Sequence, residues 1–462
     1  MANVVQELAE IVGKEDLLIT PEERLCYGYD GTFRTGVPDF VVRPDCTDQV
    51  QRIMRLADRE RIAVIPRGAG TGLSGGSVPI NAGLVLDLTK MNRILEIDRD
   101  NMIAVVEPGV VTGDLHQAVA KFGLAYPPDP SSLKTCTIGG NIAEGAGGPR
   151  AVKYGVTRDY VMGLEVVTAD GSLLHTGGKT AKNVTGYDLT RLFVASEGTL
   201  GVITKAILRL VPQAAASKTL MVVYPDLEDA ALTVSRIMSK GIVPASLELM
   251  DDVTIKCVEN YLHLGLPVDA EAILLIELDG EPEILARQAD MIADICRDCQ
   301  AREIKIAQNA GEADQLWQAR RAVSPAIVQI KPTKISEDAT VPHSKIPEMV
   351  RRLKRIAAKY NLQMAIFGHA GDGNLHPNIL ADRRDPDEMA RVEKAVAEIF
   401  AETIALEGTL SGEHGIGLLK APYMKIEFTP EELHYYQAVK QAFDPRNILN
   451  PGKIFGEEKS HG

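Results

Sequence analysis

No stretch of this 462-residue sequence is long and apolar enough to span a membrane. The longest candidate, Ala272 to Leu278, is strand-sized and contains Glu277, whereas a spanning helix needs about 20 apolar residues. The first residues, MANVVQELAEIVGKEDLL, lack the basic start and apolar block of a secretory signal. A cytoplasmic location is therefore expected, with membrane association only through a partner. Positive charge is also short: 50 Lys and Arg face 63 Asp and Glu, a net charge of -13. That excludes nucleic acid as a general partner, although an acidic surface can still hold a local basic site for an anion. Cysteine is scarce and unpatterned, with six at positions 26, 46, 136, 257, 296 and 299. Only Cys296 and Cys299 are close, and one CxxC without a second pair reads as ordinary reduced thiols. The four-cysteine spacing of a ferredoxin-type cluster is missing, so no iron–sulfur centre is expected in this chain. There is no internal repeat and no low-complexity tract.

What remains is an ordinary globular composition, 45% hydrophobic and 24% charged, in a chain too long for one core. Short strands are expected at Phe40-Val-Val, Ile62-Ala-Val-Ile, Leu84-Val-Leu-Asp-Leu, Ile94 to Ile97 and Ile103 to Glu107. Helices are expected from an N-cap at Thr47 to about Arg59 and from Thr112 to about Phe122. A Gly/Pro/Ser/Thr-rich tract from Pro127 to Gly155 reads as a long binding loop. Strands resume at Val161 to Val167 and Leu200 to Val211. After Gln213 glycine thins out and strands alternate with helices at 227–239, 283–299, 312–328, 346–360 and 386–406. The pattern predicts an α+β protein with a boundary near 212.

Pro66-Arg-Gly-Ala-Gly-Thr-Gly-Leu-Ser-Gly-Gly holds five glycines between Gly68 and Gly76. Such a turn lets backbone N–H groups converge on an anion. It is not a Rossmann loop, because a strand rather than a helix follows, and it lacks the GKS/T of a P-loop. Near the other end stand His369-Ala-Gly-Asp-Gly-Asn-Leu-His376-Pro-Asn378 and Ser-Gly-Glu413-His414-Gly-Ile-Gly. Two imidazoles and a carboxylate suit a divalent metal, and a further histidine suits proton transfer. Zinc fits a His2Glu set, and iron or manganese accepts the same ligands. Neighbours in an extended segment point opposite ways, so Glu413 and His414 serve one site only if the glycines around them bend the chain.

The glycine loop resembles the pyrophosphate loop of the vanillyl-alcohol oxidase / p-cresol methylhydroxylase type of FAD-binding domain. Pro128-Asp-Pro-Ser-Ser, Thr137-Ile-Gly-Gly-Asn-Ile-Ala143, Lys153-Tyr-Gly-Val and Glu197-Gly-Thr-Leu-Gly-Val-Ile-Thr are similar to that family's later motifs. The second half resembles the FAD-linked oxidase C-terminal domain, in the branch of glycolate oxidase FAD subunits, D-lactate dehydrogenases and D-2-hydroxyglutarate dehydrogenases. The likeness runs from about residue 38 to 456. It implies an FAD-binding domain at 1–212, an α+β cap domain with an antiparallel sheet at 213–410, and a segment returning to the flavin at 411–462. It implies FAD contacts from Pro66, Arg67, Gly68, Ala69, Gly70, Thr71, Gly72, Leu73, Ser74 and Gly75; from Pro128, Asp129, Ser132, Thr137, Ile138, Gly139, Gly140, Asn141 and Ala143; and from Tyr154, Gly155, Glu197, Gly198, Gly201, Val202, Ile203 and Asn450. Relatives with covalent flavin often carry a histidine inside the loop, which this chain lacks, so FAD is expected to be non-covalent.

By the same resemblance, His369, His376 and Glu413 are the metal ligands, His414 the general base, Arg320 the carboxylate clamp and Asn378 a substrate contact. In 2-hydroxyglutarate-type relatives a lysine sits six residues before the proline matching Pro342; here that position is Ser336, with Lys334 two earlier. This favours a small monocarboxylate, D-lactate or glycolate, over D-2-hydroxyglutarate. With no NAD site and no cluster, reduced flavin needs a separate acceptor: an electron-transfer flavoprotein, an iron–sulfur subunit or quinone through a partner. A non-catalytic electron-relay subunit is the rival from another class, and the chain is compatible with an oligomer.

Overall fold

The computed structural model describes residues 2–456 and divides into two compact units. Within the described residues the first comprises 2–147, 156–213 and 413–456; the second comprises 148–155 and 214–412. Gly148–Gly155 thus folds with the second unit although its flanks belong to the first.

The first unit holds a four-stranded sheet in the order Leu17–Leu18, Phe40–Val42, Leu84–Asp87, Val64–Arg67, whose last three strands run parallel. Parallel strands need both faces covered, and Phe40, Val42, Val64, Leu84 and Leu86 are buried with Leu8, Val50, Ile53 and Met54 of the helices Ala2–Val12 and Thr47–Glu60. A five-stranded antiparallel sheet follows, ordered Ile94–Asp98, Ile103–Val106, Val202–Arg209, Val161–Val167, Leu173–Gly177.

Neither expected threonine is an N-cap. The helix Thr47–Glu60 is preceded by Cys46, and Thr47 Oγ1 instead donates to Glu165 Oε1 (2.8 Å). Thr112 is the first helical residue of Thr112–Ala120, its hydroxyl turned to Cys136 and Asn141. The tract from Pro127 to Gly155 is not all loop either: it contains the helices Ile138–Glu144 and Ala151–Tyr154.

The second unit is built on an eight-stranded antiparallel sheet, ordered Glu303–Ile306, Ala216–Tyr224, Ala272–Gly280, Ser246–Asp251, Gln363–His369, Asn374–Ala381, Thr333–Ser336, with Ala339–Thr340 also pairing Asn374–Ala381. Met250, Ile273, Phe367 and Leu380 on one face pack with Ile255 and Val258 and with Ala319, Val323 and Ile327 of the helices Asp252–Leu262, Ala310–Arg321 and Val323–Ile327. On the other face Tyr224 donates to Thr233 of the helix Leu227–Ser239 (2.9 Å). No helix among the described residues is long and apolar enough to cross a membrane.

Candidate active site

Partners across an antiparallel ladder share a face, and successive residues of a strand alternate between faces. Phe367 pairs with His376, and Asn378 pairs with both Ala365 and Ser336. Leu249 pairs with Gly368, which sets Glu248 opposite His369. Lys334, Ser336, Asn378, His376, His369 and Glu248 therefore stand on one face of the second unit's sheet. The two imidazoles meet edge to face, with centroids 5.1 Å apart.

A buried carboxylate fixes each ring. His369 Nδ1 lies 2.7 Å from Glu248 Oε1, and His376 Nδ1 lies 3.2 Å from Asp338 Oδ1. An ionised carboxylate only accepts, so Nδ1 carries the proton in the neutral ring and the lone pair falls on Nε2. The second oxygen of Asp338 accepts from Ser411 Oγ (2.9 Å). The second oxygen of Glu248 accepts from Arg320 Nε (2.6 Å), and the Arg320 guanidinium lies 5.0 Å over the Phe367 ring. Burial alone would raise the Glu248 pKa; its contacts with Arg320 and His369 outweigh it and hold the carboxyl below its ordinary range. Asn378 Nδ2 donates to the His376 carbonyl (2.8 Å), while its buried Oδ1 has no hydrogen-bond partner among the described residues. Burial pushes the Lys334 ammonium down; its Nζ donates to Ser324 Oγ (3.0 Å) and meets no carboxylate among the described residues.

The sequence marked the histidines, Arg320, Asn378 and Lys334 but not Glu248 or Asp338. The one trace of Glu248 is a charged residue between Leu247 and Leu249 in the strand Ser246–Asp251.

In the first unit the glycine loop leaves the strand Val64–Arg67. Arg67 is buried beneath it, with Nη1 donating to the Tyr29 carbonyl (2.6 Å) and to Ser77 Oγ (3.2 Å). A Cβ on Gly68 would lie 2.3 Å from Thr137 Oγ1, so the loop and the 137–143 run are in close approach. Asn141 spends its amide on Thr112 Oγ1 (2.7 Å). Ser74 is fully buried, its hydroxyl 3.3 Å from Glu144 and its carbonyl accepting from Leu418 N–H (2.8 Å). Tyr154 and Gly155 fold with the second unit, where the Tyr154 hydroxyl donates to Asp279 (2.6 Å). Glu413 and His414 belong to the first unit, at a bend ahead of Gly415. Asn450 is buried with Nδ2 donating to the carbonyls of Gly76 (2.8 Å) and Glu197 (2.7 Å), which fixes its amide orientation.

A family model of the C-terminal domain of FAD linked oxidases matches residues 213–454, and one of an FAD binding domain matches residues 38–177. The chain belongs to the FAD-linked oxidases. This oxidase is 50% identical over 457 residues to the glycolate oxidase subunit GlcD of Bacillus subtilis, a match covering 99% of this chain and 97% of that one. It is 38% identical over 421 residues to the D-lactate dehydrogenase of Archaeoglobus fulgidus, 90% of each chain. The structure of p-cresol methylhydroxylase matches its fold with a TM-score of 0.81 over 99% of this chain and 97% of the other, at 19% identity. The expected α+β architecture of the p-cresol methylhydroxylase type is the fold found.

FAD fits the first unit of this FAD-dependent oxidoreductase. Asn450 Oδ1 is buried with no hydrogen-bond partner among the described residues, an acceptor that a cofactor N–H satisfies. A glycine-rich turn such as the 68–76 loop can aim successive backbone N–H groups at an anion.

Proposed function

We propose that this oxidase converts a small D-2-hydroxy acid, D-lactate or glycolate, to the 2-oxo acid, and that its electrons leave through a separate redox partner in the cytoplasm. The observation that carries this reading is the bridge Arg320–Glu248–His369, beside the second pair His376–Asp338. It ties a guanidinium suited to a carboxylate to an imidazole whose Nε2 is prepared as a metal ligand. The donor set fits a divalent ion, zinc foremost: His369 and His376, with Glu413 as third ligand.

When bound, non-covalent FAD accepts a hydride, and the ion acidifies the substrate hydroxyl. Arg320 binds the carboxylate through the guanidinium nitrogens that Glu248 does not use. The unsatisfied Asn378 Oδ1 accepts from an ordered water beside the substrate. His414 takes the hydroxyl proton as general base. The 66–76 loop, the 128–143 run, the 197–203 strand entry and Asn450 hold the cofactor.

A second reading, a longer dicarboxylic hydroxy acid, draws on Lys334: it stands on the same face as Ser336 and Asn378 and lacks a carboxylate partner among the described residues. One experiment separates the two. The metal-replete, FAD-loaded protein is mixed anaerobically with D-lactate, glycolate, D-2-hydroxyglutarate and L-lactate. Rapid bleaching of the flavin by D-lactate or glycolate is expected. Bleaching by D-2-hydroxyglutarate alone favours the longer substrate, and none with any of them leaves the electron-relay role.

A further inference from the structure

Glu197 lies in Ala195-Ser-Glu-Gly, at the entry to the strand Val202–Arg209, and it does more than line a cofactor loop. Its carboxylate accepts from two successive backbone N–H groups of the C-terminal segment, Ile416 to Oε1 and Gly417 to Oε2, both at 2.7 Å. Charge-assisted pairs of this kind are short and geometrically demanding. The side chain is buried, and its backbone is held at φ 51, with Ala195 at φ 61 two residues earlier. Non-glycine residues in that region are strained and persist only where the surroundings determine them. Asn450 helps to do so, donating to the Glu197 carbonyl.

A second carboxyl presses on the same turn. Gly415 adopts φ 82, and a Cβ there would lie 2.2 Å from Glu144 Oε2 and 3.2 Å from Glu197 Oε1. Glu144 and Glu197 thus both crowd the place a side chain on Gly415 would take. Beyond Gly417, the N–H groups of Leu418 and Leu419 donate to the Ser74 carbonyl (2.8 and 3.2 Å). Residues 415–419 are therefore gripped at every peptide, directly after Glu413 and His414.

We infer that Glu197 is a positioning residue for His414 and Glu413: its carboxylate fixes the register of the 415–417 backbone, and Glu144 leaves no room for a side chain at Gly415. Adjacent residues diverge in an extended chain, so only a fixed bend turns a base and a ligand toward one substrate. A misplacement of about 1 Å at a reacting group is enough to slow turnover about 100-fold.

This rests on the reading of His414 as base and Glu413 as ligand, so that reading gets its own control. His414→Asn should lose turnover of D-lactate while keeping FAD and zinc; retained turnover would sink the reading and leave the brace to be judged separately. Glu197→Gln replaces one acceptor oxygen by an NH2 that faces a backbone N–H. Saturated with FAD, the holoenzyme variant should keep KM within about 3-fold and lose about 100-fold in kcat per bound flavin. Calorimetric zinc affinity of the metal-stripped variant should fall about 10-fold. Wild-type kcat and zinc affinity would overturn the proposal. So would loss of FAD with unchanged kcat per bound flavin, which would make Glu197 a flavin-binding residue. Hydrogen exchange on the wild-type holoenzyme needs no variant: the amides of Ile416 and Gly417 should be protected like core strands, and exchange at exposed-loop rates would equally refute the brace.

Discussion

At the scale of single residues, the two histidines of the proposed metal site are held by carboxylates that the sequence did not flag. His369 and His376 announce themselves by a glycine-rich turn, but Glu248 and Asp338 reach them from 121 and 38 residues away. Nothing local distinguishes a charged strand residue that faces solvent from one that faces a histidine, because the register of the sheet decides. Glu248 is also the residue with most to lose. Glu248→Gln leaves an NH2 facing either Arg320 or His369 Nδ1–H, so zinc affinity of the metal-stripped protein should weaken about 10- to 100-fold by calorimetry. An unchanged affinity would remove Glu248 from the site.

Lys453 makes a residue-scale prediction about pH. It is buried, its Nζ donates to the Val78 carbonyl (2.6 Å), and burial pushes its pKa down to about 8 against the pull of Asp30, Glu197 and Glu144. An unfolded lysine titrates near 10.4. Below pH 8 both states hold the proton, and the folded state bears the penalty of a buried charge. Between about 8 and 10 the unfolded state keeps a proton that the folded state has released, so stability rises with pH, by at most about 1.4 kcal/mol per unit. Lys453→Met lacks this contribution. Urea midpoints from pH 7 to 10 should therefore climb relative to the variant's; parallel curves would contradict the buried charge.

Among elements, long periodic segments were legible and short irregular ones were not. The helices Leu227–Ser239, Pro282–Asp298, Ile346–Lys359 and Pro386–Ala405 lie within a residue or so of their expected bounds. The single helix expected at 312–328 is two, Ala310–Arg321 and Val323–Ile327. Pro325 explains the break: it lacks an N–H, and its ring opposes the carbonyl four residues back, at Arg321. Thr47 and Thr112 look like caps because hydroxyls before apolar periods usually are, yet tertiary partners claimed both. The helix Pro430–Phe443 has no buried residue. Its support comes from a capping box, Thr429 with Glu432, and from Lys440, which donates to the carbonyls of Thr199 and Leu449. Thr429→Ala should weaken that helix by about 1 kcal/mol. Hydrogen exchange across 431–443 should accelerate while the amides of the eight-stranded sheet stay protected; acceleration in both would mean that the helix is part of one cooperative core.

Taken as one molecule, the protein has an FAD-binding unit and an antiparallel-sheet unit, and glycine thins out after Gln213, where the chain passes into the second. Composition could not reveal that Gly148–Gly155 joins the second unit. It does so through specific pairs, Lys153 and Tyr154 on Asp279 and Arg150 on Glu277, and such pairs have no signature in a glycine-rich tract. The chain therefore passes from one unit to the other four times, and neither unit is a continuous stretch of sequence. During synthesis this imposes an order. The second unit has all its residues once position 412 has emerged, whereas the first still lacks its Val64–Leu449 bridge and the Glu197 grip on Ile416 and Gly417. The part that begins earliest on the ribosome is the part that finishes last, and a half-made cofactor fold must wait, open, for some fifty residues that arrive after its neighbour is already complete.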